Sequence, residues 1–157
     1  MNLKVDIANG CEGKWTPDNG TCKQWLASAL QLAEHEAASC ISLRFVDEDE
    51  ITAINAQFRG KAGSTNVLSF PAGLPAGVTA QMDSKPLGDI VICPPVVERE
   101  AHDQGKALEA HWAHLLVHGC LHLLGYDHAA EAQATRMESL EARAMESLGF
   151  DNPYLIG

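Results

Sequence analysis

Three histidines have the type and spacing of a metal site: His118, His122 and His128. Residues four apart lie on one face of an α-helix, one turn from each other, so His118 and His122 would point the same way. Gly125 follows, and glycine commonly ends a helix in a left-handed conformation, which lets the chain return with His128. Three neutral imidazoles around Zn²⁺ leave a fourth position for water, whose pKa zinc lowers to about 7. The spacing predicts an open, catalytic type of zinc site with one ion per chain.

These histidines also have two less specific interpretations. Paired histidines on a helix often serve packing or surface roles. A purely structural zinc site would usually be closed by four protein ligands, often cysteines. Cys120 lies two positions from each helical histidine and should face the other side of the helix. We therefore favour the open site.

Length and composition restrict the possible architecture, compartment and partners of the protein. The 157 residues have the size of one ordinary domain, 1–157, and 46% of them are hydrophobic, enough for a proper core. No apolar run reaches the roughly 18 residues of a membrane span. The five cysteines are odd in number and form no CxxC pair, which favours reduced thiols in the cytoplasm. A net charge of −10 argues against nonspecific nucleic-acid binding, although a dication and a few arginines can make a cleft locally positive.

The hydrophobic pattern predicts an α+β domain, with about four strands in a single sheet and about five helices packed on it. The predicted strands cover residues 3–7, 41–45, 67–70 and 88–93. The predicted helices cover residues 21–39, 47–58, 94–104, 107–124 and 129–148. The segment 71–86 is rich in glycine and proline and is predicted to be a loop. The helix that carries His118 and His122 is apolar on its other faces, so it should be buried and give the metal a rigid support.

Three motifs in this order resemble the bacterial YbeY family of ribosomal RNA maturation factors. The most specific is HLLVHGCLHLLGYDH at residues 114–128. The second comprises NAQFR at residues 55–59 and TNVLSFP at 65–71, and the third is LGDIVI at 87–92. Together they span about residues 50–128 of the chain. Asn66 is a small departure, since aspartate is the more expected residue there.

The resemblance implies a single-strand-specific endoribonuclease with bound zinc, and a mixed sheet with a zincin-like arrangement of helices. The implied work is 3′-end maturation of small-subunit ribosomal RNA and ribosome quality control. The implied partners are ribosomal RNA, the small ribosomal subunit and its assembly factors, without a membrane. By position, His118, His122 and His128 would be the zinc ligands, and Arg59 the functionally important arginine beside them.

RNA cleavage requires charge stabilisation at the phosphate, and Arg59 could bind it through a planar pair of donors that lysine cannot imitate. On sequence alone, Arg59 could also be a solvated loop residue. His114 lies one turn before His118, and we hypothesise that it contacts phosphate or carries a proton in catalysis. A core histidine bonded to a backbone carbonyl is an equal alternative for His114. Asp127 could orient a ligand imidazole, but a bond within its own turn is favoured.

Two other functions are compatible with these residues. A zinc hydrolase of peptides or small molecules is permitted by the ligands, but zinc peptidases of the HExxH type need glutamate after the first histidine, and this chain has Gly119 there. A non-catalytic ribosome-assembly factor, in which zinc supports the fold, is mildly favoured by the acidic charge.

Overall fold

The computed structural model of the chain describes residues 2–155. Within this range the strands are β1 (Leu3–Asn9), β2 (Ser39–Phe45), β3 (Val67–Pro71) and β4 (Lys85–Ile92). The helices in the same range are α1 (Asn19–Leu32), α2 (Glu48–Arg59), α3 (Ala76–Thr79), α4 (Pro94–Gln104), α5 (Leu108–Leu123) and α6 (Glu131–Ser147). The additional helix relative to the prediction is α3, inside the segment predicted as a loop. It buries no side chain, so no apolar periodicity marks it in the sequence.

The four strands form one mixed sheet in the order β1-β2-β4-β3. β1 and β4 run parallel to β2, and β3 runs antiparallel to β4. Parallel neighbours need a crossover connection, which α1 provides between β1 and β2. The predicted α+β class with a single mixed sheet is therefore confirmed.

Both ends of α1 differ from the prediction for local reasons. Asp18 caps the helix, because its carboxylate accepts the backbone N–H of Thr21 at 2.7 Å, and the helix therefore begins before Thr21. At the other end, Glu34 has a positive φ of 60°, a left-handed conformation that interrupts the helix. The helix consequently ends at Leu32 and not near Ser39, where β2 already starts.

The central element of the fold is α5, which contacts α1, α4, α6 and the strands β3 and β4. Most of its side chains are buried, and Trp112, Leu116 and Leu121 are among the largest fully buried ones. The prediction of a buried ligand helix is correct. A second apolar cluster lies between the sheet and α2 and comprises Val46, Ile51, Leu68, Val91, Cys93 and Val96. Among the described residues, no helix is both long and apolar enough to cross a membrane.

Gly119 allows α5 to lie close against the sheet. A Cβ atom at this position would stand 3.1 Å from the Oγ of Ser69 and 3.2 Å from the Cγ2 of Ile90, tighter than ordinary contacts. The Ser69 hydroxyl also donates a hydrogen bond to the Gly119 carbonyl at 3.1 Å. A longer side chain at position 119 would therefore meet β3 and β4.

Gly88 lies in β4 directly after a shift in the pairing register with β2, and it approaches β3 closely. Its φ of +140° is strained for any other residue, and a Cβ atom would stand 2.2 Å from the Phe70 carbonyl oxygen. Replacing Gly88 with alanine is expected to lower the free energy of unfolding by about 3 kcal/mol, through backbone strain and the clash with β3. Urea denaturation with a chelator present measures this, and Gly77→Ala is the matched control because a Cβ there meets no atom within 4 Å. Equal unfolding midpoints for the two variants would contradict the prediction.

Candidate metal site and cleft

The structure brings His118, His122 and His128 together. Each offers a nitrogen, and the three nitrogens lie within 4.8 Å of one another. His118 and His122 project from adjacent turns of α5, with their Nε2 atoms 3.0 Å apart. Gly125 has a φ of +100°, and the chain beyond it returns so that the His128 ring stacks on the His118 ring with centroids 4.9 Å apart. Among residues 2–155, this is the one group of three or more potential ligands that converges so closely.

The far nitrogens of the two helical rings are held by hydrogen bonds. The Nδ1–H of His122 donates to the Tyr126 carbonyl at 2.9 Å, and the Nδ1–H of His118 donates to the Oε1 of Glu141 at 2.6 Å. Because a carbonyl can only accept, the Nε2 of His122 carries a free lone pair in its neutral form. Burial lowers the pKa of His122, and the neighbouring His118 and His128 rings lower it further. The neutral, metal-binding form is therefore favoured.

The spacing of the nitrogens fits a tetrahedral metal ion. Bonds of about 2.0–2.1 Å to zinc place two ligand nitrogens about 3.3 Å apart in a tetrahedron. The separation of 3.0 Å between the Nε2 atoms of His118 and His122 is close to this value. Two facing lone pairs at that distance repel each other unless a cation lies between them. The three residues could thus hold one metal ion and leave a position open for another ligand.

A cleft of about 690 Å³ opens in front of the His118 and His122 rings. Its lining residues are Asn55, Arg59, Lys61, Ala62, Ser64, Thr65, Val67, Leu68, Ser69, Pro71, His118, His122, Gly125, Tyr126 and Asp127. Two of them have basic side chains, Arg59 and Lys61, against a single acidic side chain, Asp127. In a chain of net charge −10, the cleft is therefore a local region of positive charge even before a metal is counted.

Arg59 ends α2 and is held in place by β3. Its Nη2 donates to the Ser69 carbonyl, and its guanidinium carbon lies 5.0 Å from the centre of the Phe70 ring. The side chain lines the same cleft as His118 and His122. Its remaining N–H groups are available to a bound anion, since one guanidinium carries five donors. The sequence prediction placed Arg59 beside the histidines, and the structure brings it there.

His114 lies behind the His118 ring and is not among the residues that line the cleft. Its Nε2 is 3.3 Å from the Oε1 of Glu141 and 3.4 Å from the Tyr154 hydroxyl. These contacts differ from the bond to a backbone carbonyl that was one alternative from sequence. A catalytic role for His114 stays a prediction. Asp127 accepts the backbone N–H of His128 at 2.7 Å, the bond within its own turn that was favoured.

Glu141 and Tyr154 are site residues that sequence reasoning missed. Glu141 is fully buried on α6, where it accepts hydrogen bonds from His118 at 2.6 Å and from the Tyr154 hydroxyl at 2.5 Å. Burial raises the pKa of Glu141, but the hydrogen bonds from His114, His118 and Tyr154 outweigh burial and lower it to about 2. A signal was present, because Glu141 follows Met137 by four positions and so puts a carboxylate on the buried side of α6.

Comparisons with known proteins agree with this site. A family model described as Endoribonuclease YbeY matches residues 12–149. The Endoribonuclease YbeY of Methylococcus capsulatus is 50% identical over 138 residues, which cover 88% of this chain and 87% of that protein. The Endoribonuclease YbeY of Pseudomonas entomophila is 47% identical over 152 residues, 97% of this chain and 93% of that protein.

The fold is also found among solved structures. The solution structure of TM1509 from Thermotoga maritima matches with a TM-score of 0.55 and 23% identity, over 97% of this chain and 99% of that one. This likeness concerns the α+β architecture alone. The family model matches most of this chain, and the two relatives are matched over most of their own lengths. The chain therefore belongs to the YbeY family of endoribonucleases.

Proposed function

We propose that this chain is a zinc-dependent endoribonuclease that cuts single-stranded RNA in the 3′-end maturation of small-subunit ribosomal RNA and in ribosome quality control. One observation supports the proposal above all others. Three imidazole nitrogens converge within 4.8 Å of one another, and two of these histidines, His118 and His122, line a cleft that Arg59 also lines. This pairs a candidate metal site with a phosphate-binding side chain, the two requirements of phosphodiester cleavage.

Zinc is the proposed ion, one per chain, because three imidazoles with an open position are the ligand set of catalytic zinc sites. Among the described residues no thiolate joins the triad: Cys120 is fully buried and its sulfur faces the Leu26 carbonyl. When bound, zinc would polarise a phosphoryl oxygen and lower the pKa of a bound water. His118, His122 and His128 are the proposed ligands.

The residues of the cleft would bind and orient the RNA strand. Arg59, fixed against Ser69 and Phe70, would donate two parallel hydrogen bonds to the phosphate that is cut. Lys61 would add positive charge for a neighbouring phosphate. The Nδ2 of Asn55 donates to the Gly63 carbonyl at 3.1 Å and so orders the turn that carries Lys61. The volume of the cleft, about 690 Å³, is ample for one nucleotide with its phosphates.

The proposed partners are ribosomal RNA within the small ribosomal subunit and the assembly factors of that subunit, in the cytoplasm. The charge distribution supports delivery by such partners. A net charge of −10 repels naked RNA over most of the surface, whereas the cleft is positive. The same charge supports a second candidate, a non-catalytic ribosome-assembly factor. A peptidase of the HExxH type is disfavoured, because Gly119 supplies no carboxylate and a Cβ atom at this position would already crowd Ser69 and Ile90.

Incubation of nuclease-free protein with a small-subunit RNA 3′ precursor, and separately with casein, tests the proposal. The RNA should be cut and the casein should stay intact. Removal of the metal with a chelator should slow cleavage by about 100-fold or more, because the charge stabilisation of a metal is worth several kcal/mol. One equivalent of zinc should restore the rate.

Each alternative function predicts a different result. Cleavage at full rate in the chelator would point to a contaminating nuclease and contradict the proposal. Binding to small ribosomal subunits without any cleavage would favour the non-catalytic assembly factor. Metal-dependent loss of casein would favour a peptidase.

A further inference from the structure

A buried carboxylate lies directly behind the candidate metal site. Glu141 on α6 has a relative exposure of 0%. Its Oε1 is 2.6 Å from the Nδ1 of His118 and 3.3 Å from the Nε2 of His114. Its Oε2 accepts the Tyr154 hydroxyl at 2.5 Å, and no other partner for this oxygen is found in the described part of the chain. The two oxygens of Glu141 therefore join His118 to Tyr154.

Tyr154 belongs to the segment that follows α6, and this segment is fixed to the domain. Phe150 packs edge-on against Trp25 of α1 at a centroid distance of 6.0 Å. The backbone N–H of Tyr154 donates to the Oδ1 of Asn152 at 2.8 Å, which turns the chain back toward α5. The Tyr154 ring then meets the His114 ring edge-on at 5.5 Å. The match to the family model ends at residue 149, so Tyr154 lies outside it.

We propose that the C-terminal segment completes the metal site, with Tyr154 and His114 holding Glu141 so that Glu141 fixes the orientation of the His118 ring. Glu141, Tyr154 and His114 are then positioning residues that act on the metal through His118. The inference rests on the proposed function, because it requires that His118 is a metal ligand.

The chemistry of histidine ligands supports this arrangement. A carboxylate that accepts the Nδ1–H of a ligand histidine selects the tautomer with a free Nε2, restricts ring rotation and makes that nitrogen more basic. A buried carboxylate can do so only if its other oxygen is also satisfied, because an uncompensated buried charge is costly. In this chain the second oxygen depends on one hydroxyl group, that of Tyr154. Removal of this hydroxyl should let Glu141 and His118 reorient.

The test is the zinc affinity of the full-length protein, measured by competition with a chromogenic chelator. Tyr154→Phe removes the hydroxyl alone, and Glu141→Gln removes the charge. Each is expected to weaken zinc binding about 10- to 100-fold, the usual effect of losing a partner of a metal ligand. Ser147→Ala is the matched control on α6: it removes a hydroxyl bonded to Ser28 at 2.8 Å, which does not touch the histidines. Its zinc affinity should equal that of the wild type.

A second measurement separates positioning from general stability. The visible absorption bands of the cobalt(II)-substituted protein report the ligand geometry, and they should shift in Tyr154→Phe and not in Ser147→Ala. Unchanged zinc affinity and unchanged cobalt bands in Tyr154→Phe, with binding still lost in His122→Ala, would overturn this inference and leave the proposed metal site in place. A wild-type protein that binds neither zinc nor cobalt would instead overturn the proposed function itself.

Discussion

Replacing His122 with alanine is expected to abolish stoichiometric zinc binding and to slow RNA cleavage by about 1,000-fold. His122 supplies a well-defined ligand nitrogen, because the Tyr126 carbonyl at 2.9 Å fixes which of its ring nitrogens carries the proton. Two ligands that remain cannot hold the ion firmly, and a bound metal contributes several kcal/mol of charge stabilisation in phosphoryl chemistry. Each loss of about 1.4 kcal/mol slows the reaction tenfold.

Two measurements check this expectation: metal content by elemental analysis, and initial rates on a defined single-stranded RNA. His102→Ala is the matched control, since His102 is an exposed histidine on α4 and lies outside the residues that line the cleft. The control should retain both metal and rate. If His122→Ala were to cut RNA at the wild-type rate without bound metal, the triad would not be the catalytic centre.

The second large effect is expected at Arg59. Arg59→Ala should lower kcat/KM for RNA about 100- to 1,000-fold, a loss of about 3–4 kcal/mol of the kind seen when one donor to a developing charge is removed. Metal content should not change, because Arg59 lies on α2 and contacts Ser69 and Phe70, not the histidines. The combination of retained metal and lost activity distinguishes Arg59 from the triad.

Arg59→Lys makes the test more specific. Lysine keeps the charge but not the two-pronged donor geometry, so most of the loss should remain if Arg59 binds the phosphate through both prongs. Arg99→Ala controls for general loss of positive charge, because Arg99 pairs with Glu48 on the exposed surface. Full activity in Arg59→Ala would contradict a role for this side chain in catalysis or substrate binding.

The convergence of the three histidines could be predicted from sequence because its geometry is local. Two ligands are fixed by the helical repeat and the third by a glycine turn a few residues later, so propensities that act over short distances decide the arrangement. The class of the fold was equally accessible, since alternating segments such as Leu3, Val5 and Ile7 and the apolar faces of α5 mark the elements. The order of strands in the sheet was not predicted, because it depends on contacts between distant segments.

The residues around the triad could not be predicted either, because they too depend on contacts between distant segments. Glu141 and Tyr154 reach His118 only through the packing of α5, α6 and the C-terminal segment, which no short-range pattern encodes. Arg59 was placed at the site by its position within a family motif and not by any local rule. The short helix α3 was not predicted because it buries no side chain, so its residues carry no pattern of burial.

The residues around the cleft come from parts of the chain that depend to different degrees on the complete fold. The histidines all come from α5 and the turn after it, whereas Arg59 reaches the cleft only while β3 remains paired with β4 and presents Ser69 and Phe70. If the histidines hold a metal ion and Arg59 binds phosphate, as proposed, a molecule whose strand β3 has detached would keep the metal ligands and lose the phosphate-binding side chain. Metal content and RNA cleavage would then respond differently to the loss of β3.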